Sequence, residues 1–150
     1  MDVWNEKTEH KLNELLEKAY DAEKGFKKAI EHTNNPRLKS FFAEQARQRS
    51  AFITELRQVL KSQGMKIKDS DGSISGSIHR FWMDTKAFFS ADTDESMLEE
   101  VRNGEKAAIE DYDAILDHCE LNVPIRDILS KQKGAIQANY NKADYLEGFD

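Results

Sequence analysis

Apolar residues recur along most of this chain at alternating steps of four and three, the period of one face of an α-helix. In the first segment the row runs Leu12, Leu16, Ala19, Phe26 and Ile30, which predicts a helix over residues 5–32. Asn35 and Pro36 follow. An asparagine there caps the next helix, and proline suits a first turn, where its missing amide hydrogen leaves no bond unmade. Leu38, Phe42, Phe52, Leu56 and Val59 carry the second row as far as Gly64. So short a link makes the two helices antiparallel neighbours.

The pattern then lapses. Residues 62–77, SQGMKIKDSDGSISGS, are rich in Ser, Gly and Asp without an apolar period and read as a connector. Asp69 and Asp71 before Gly72 hint at a calcium loop, but Arg80 stands where the closing Glu should be. A shorter amphipathic helix is expected over residues 78–89, with Ile78, Trp82 or Phe81, Thr85 and Phe89 on one face. Asp92 and Glu95 have capping-box spacing before a third long row of Leu98, Val101, Ala108, Tyr112, Ile115 and Cys119. Pro124 opens the last helix, whose row is Ile125, Leu129, Ile136, Ala143 and Leu146.

Two hairpins joined by so long a connector predict one all-α domain over residues 1–150. The expected architecture is a ferritin-like four-helix bundle in which a crossover with a short extra helix links the second and third long helices. Composition agrees: 150 residues can hold one core, and 2 prolines, 7 glycines and 33% charged residues suit a helical protein better than a β-sandwich. No apolar run is long enough to span a membrane, and the opening MDVWNEKTEH lacks the features of a secretory signal, so a cytoplasmic location is expected. The single cysteine, Cys119, agrees with a reducing compartment and reads as a small buried side chain. A net charge of −6 argues against nucleic acid and anionic lipid as partners. Arg47, Arg57 and Lys61 form a local basic patch that reads as a solvated helix face.

The apolar rows are interrupted by polar residues at inward positions. Glu23 falls on the first row, Gln45 and Arg49 on the second, Glu105 on the third, and Gln132 and Asn139 on the fourth. Glu23 and Arg47 lie equally far along the chain from Asn35, which sets Glu23 level with the span holding Gln45 and Arg49. Glu105 and Asn139 are likewise equidistant from Asn122. Each hairpin therefore carries an inward carboxylate opposite an amide or a guanidinium.

An ionised carboxylate sealed in an apolar core takes a proton, a partner cation or a metal. Di-metal bundles use one Glu from each of two helices and Glu-x-x-His from each of the other two. Glu23 and Glu105 meet the first requirement. The second fails, because the residues three before His10, His32, His79 and His118 are Lys7, Ala29, Gly76 and Ile115. Arg49 would also set a fixed positive charge beside any metal. The expectation is therefore that Arg49 holds Glu23, with Glu105 as a further partner, through charge-assisted hydrogen bonds that fix helix register.

Several stretches together carry a family resemblance: DAEKGF at residues 21–26, FFAEQARQRSAFITEL at 41–56, GSIHRFWMDTKAFF at 76–89 and NGEKAAIEDY at 103–112. On these the chain resembles a family of uncharacterised bacterial four-helix-bundle proteins, a domain of unknown function of the ferritin-like superfamily. The resemblance implies the bundle fold and implies no ferroxidase activity, because the histidine-bearing metal motifs of ferritins and rubrerythrins are absent here.

A second candidate site is HRFWMD, where His79, Arg80, Trp82 and Asp84 crowd one short helix and His79 could serve as a base. The plainer reading packs Trp82 inward and leaves the charged groups to helix ends. No Ser or Cys nucleophile has an identifiable partner, and no glycine-rich phosphate loop is present. The functional expectation is a non-enzymatic bundle with no catalytic residues and no cofactor, acting by association as a homo-oligomer, a dimer in the first instance. The alternative is an iron- or manganese-binding ferritin-like protein with oxidase or storage activity, using Glu23 and Glu105 with ligands such as Glu44, Glu55 or His79.

Overall fold

The computed structural model describes residues 6–67, 90 and 93–147. Four long helices make up these residues, with no strand among them: α1 (Glu6–His32), α2 (Pro36–Ser62), α3 (Asp94–His118) and α4 (Val123–Glu147). None of them is long and apolar enough to cross a membrane. The helix expected over residues 78–89, and with it His79, Arg80, Trp82 and Asp84, lies outside the described residues.

Local chemistry sets the ends. The Asn35 side chain accepts from the Arg37 amide at 2.9 Å and the Leu38 amide at 3.4 Å, with Pro36 at the first helical position. These are amides that the helix itself leaves unpaired. At the far end of α2, Gly64 adopts φ +80, a left-handed conformation that side chains resist, and Met65 N donates back to Leu60 O. The start of α3 differs from expectation by one residue. Thr93, not Asp92, is the cap, in a reciprocal box with Ser96. Thr93 directly precedes the first helical residue in extended backbone, φ −126 and ψ 154, and its hydroxyl accepts from the Ser96 amide at 3.0 Å.

α1 packs along α2 and α3 along α4, while α1 touches α3 and α2 touches α4 along their sides. α2 and α3 thus stand diagonally across the bundle. Asn35 Nδ2 donates to Asp94 Oδ2 at 2.6 Å, and Asn122 Nδ2 donates to Gln63 Oε1. The first bond joins the starts of α2 and α3, so these two helices run in the same direction.

The core falls into two apolar clusters, each drawing on all four helices. One, toward the α1–α2 turn, centres on Phe26, Leu38, Phe42, Leu98 and Val101. The other centres on Leu12, Leu16, Leu56, Ile115, Ile125 and Leu129. Between them sits a polar layer.

Candidate functional site

At the heart of that layer the Arg49 guanidinium grips the Glu105 carboxylate with both terminal nitrogens, Nη1 to Oε2 at 3.2 Å and Nη2 to Oε1 at 2.5 Å. Glu105 is 0% exposed and Arg49 2%. Position follows from helix phase: Arg49 lies seven residues, two turns, before Leu56 on the buried side of α2, and Glu105 lies seven before Tyr112 on that of α3. The guanidinium also lies over the rings of Phe26 and Phe52, 5.7 Å from each centroid, which adds cation–π attraction to the ion pair. Asn139 Nδ2 donates to Glu105 Oε2 at 3.2 Å and to Gln48 Oε1 at 2.6 Å. One carboxylate thereby links α2, α3 and α4.

A second polar layer lies two helical turns away along α4, about 10 Å. Tyr112 Oη donates to Gln132 Oε1 at 2.7 Å, and Gln132 Nε2 bonds Phe52 O at 3.3 Å and Glu55 Oε1 at 3.2 Å. Glu55 reaches the surface, where Lys131 pairs with it at 3.2 Å. Burial pushes the Tyr112 phenol well above its ordinary range, opposed by Arg49 and reinforced by Glu105, so it stays a neutral donor.

The structure separates two residues from this network. Glu23 was expected to meet Arg49, yet its carboxylate is 17% exposed and lies 3.7 Å from Lys27 on its own helix. The cause is a change of row within α1. Beyond Ala19 the buried seam runs Ala22, Phe26 and Ala29, whereas Glu23 and Ile30 each lie one residue, about 100° of helix rotation, past Ala22 and Ala29 and fall at its edge. Gln45 is buried at 3% exposure, but its Oε1 has no hydrogen-bond partner and takes no part in the layer. Gln48 was not anticipated from the sequence, Tyr112 was expected only as an inward apolar residue, and Glu55 only as a ligand under the metal-binding alternative. Only their level offered a signal, because Tyr112 sits in an apolar row and Gln48 and Glu55 at row edges.

A further buried acid, Asp21, lies on α1 at 8% exposure with Oδ2 unpartnered. Burial, then the neighbouring Glu17, pushes its carboxyl up from 3.8 to about 6, against the pull of Lys24.

These donors do not fit a pair of metal ions. Both Glu105 oxygens already face guanidinium nitrogens, Glu23 faces the rim, and among the described residues no group of three or more His, Cys, Asp or Glu side chains is arranged to hold a metal. The same centre offers neither a nucleophile nor a free base. Its chemistry is that of a satisfied ion pair.

A family model described as "Domain of unknown function (DUF2383)" matches residues 7–118, a span that takes in Arg49, Glu105 and Tyr112 and stops before α4. None of the curated proteins compared with the chain matches it.

Proposed function

From the premise that this chain belongs to the DUF2383 family, we propose that it is a non-enzymatic, cytoplasmic helical-bundle protein of ferritin-like arrangement. It acts by association, with a second copy or with another protein, through its helix faces. The observation that carries this reading is the bidentate Arg49–Glu105 pair with Asn139 beside it. A guanidinium occupies the level at which a di-metal bundle would hold cations. Its charge is permanent, and the carboxylate it neutralises is no longer an available ligand or base. The layer then serves to specify which helices meet and at what register, a role for which buried polar groups are best attested.

Two measurements test the proposal. Protein purified without chelator and reconstituted with iron or manganese should show no stoichiometric metal by elemental analysis; about two ions per chain would restore the oxidase or storage alternative. Sedimentation velocity over a wide concentration range should show a homo-oligomer. A monomer at every concentration would remove self-association and leave only a partner protein.

A further inference from the structure

The outer faces of the two diagonal helices are oppositely charged. α2 carries six Arg or Lys against two Glu, whereas α3 carries nine Asp or Glu against two Arg or Lys. Part of this charge is spent inside the bundle or between helices, as in Arg49–Glu105, Lys18–Asp111 and Lys133–Asp113. What remains on the outside is regular. On α2 an exposed stripe at steps of three and four runs Glu44, Arg47, Ala51, Thr54, Gln58 and Lys61, with two cations against one acid. On α3 the exposed acids Glu95, Glu99, Glu110 and Asp117 outnumber the exposed Lys106.

We propose that the α2 stripe of one copy docks on the α3 stripe of another, so that self-association is heterologous and driven by charge. The geometry supports this in three ways. α2 and α3 run in the same direction, so a copy translated without rotation, sideways and roughly 14 Å along the bundle axis, brings its α3 parallel to the first copy's α2. Spacing matches too: at the helical rise, Arg47 and Lys61 stand about 21 Å apart and Glu95 and Glu110 about 22 Å. With Arg47 on Glu95 and Lys61 on Glu110, Lys106 falls opposite the neutral Gln58 and the small Ala51 and Thr54 let the helices approach. Finally, the two faces lie on opposite corners, so each copy keeps one face of each sign free after binding. Such a contact extends beyond a pair of copies, unlike a two-fold dimer. The partner is a second copy because the chain itself presents both complementary faces.

This inference rests on the association reading above, and charge reversal tests the two separately. Sedimentation velocity is run at about 0.1 M salt, where a Debye length of roughly 10 Å weakens long-range repulsion between chains of charge −6 more than pairs in contact. Wild type should form species larger than a dimer as concentration rises. Arg47→Glu with Lys61→Glu should weaken self-association about tenfold or more, and so should Glu95→Lys with Glu110→Lys. Mixing the two double variants should restore association, since a reversed α2 then meets a reversed α3. All four positions are exposed, and circular dichroism verifies that each variant is folded. Association that survives both reversals unchanged overturns the assigned surface while the broader reading stands. A wild type that stays monomeric overturns this surface and self-association together, leaving only a partner protein, and variants that fail to recover on mixing overturn the pairing of α2 with α3.

Discussion

Arg49 and Glu105 show why a buried ion pair is a poor source of stability and a strong source of specificity. Removing one partner strands the other charge in an apolar medium. Arg49→Leu should therefore lower unfolding stability by about 3 kcal/mol in urea denaturation, and adding Glu105→Leu should recover most of that loss. A double variant no more stable than the single one would contradict this account of the pair. Asp21 behaves in the opposite sense from a paired acid. Its carboxyl titrates near 6 in the folded chain and near 3.8 when exposed, so between those values the native state holds a proton that the unfolded chain has released. Stability contributed at this residue therefore falls as pH rises from about 4 to about 6, and the full penalty persists above that range. Asp21→Asn should stabilise the protein by roughly 2 to 3 kcal/mol at pH 7, with the gain vanishing near pH 4, as read from thermal or urea melts across pH.

Among the helices, the ends are written in local chemistry and the faces in periodicity, but glycine has opposite meanings at two positions. Gly134 lies exposed within α4, and an added Cβ would meet nothing within 4 Å. Gly134→Ala should raise stability by about 0.5 to 1 kcal/mol, because alanine restricts the unfolded chain and suits the helix. Gly64 also has open space, yet its φ of +80 is strained for any side chain, so Gly64→Ala should destabilise by about 1 kcal/mol. Paired melting curves of the two variants should move in opposite directions. The Glu23 result belongs to this scale as well. A row that is continuous on paper leaves the interior when the buried seam passes to the neighbouring row, and one helix read alone does not reveal where its neighbours cross it.

For the molecule as a whole, the Arg49–Glu105 layer divides the core without separating the helices, since each apolar cluster holds residues from all four. Leu98, at 1% exposure, lies in one cluster and Leu56, at 0%, in the other. Leu98→Ala and Leu56→Ala should each cost about 3 kcal/mol, and the double variant should show the sum in one urea transition. Two separate transitions would mean that the layer splits the bundle into independently unfolding halves.

The four long helices of the described residues, the Asn35–Pro36 start, and the whole inward row of α4 from Ile125 to Leu146 were legible because capping and amphipathic period are local properties of the chain. Counting from Asn122 also set Asn139 at the height of Glu105, since both helices of a hairpin advance at the same rise per residue. Partner choice was not legible. Whether Arg49 turns to Glu23 or to Glu105 depends on which helix faces it across the core, and whether Gln48 and Tyr112 join a layer depends on a few ångströms of lateral packing. A one-dimensional pattern fixes the level and face of a side chain, whereas its neighbour on another helix is decided only when the seams interlock.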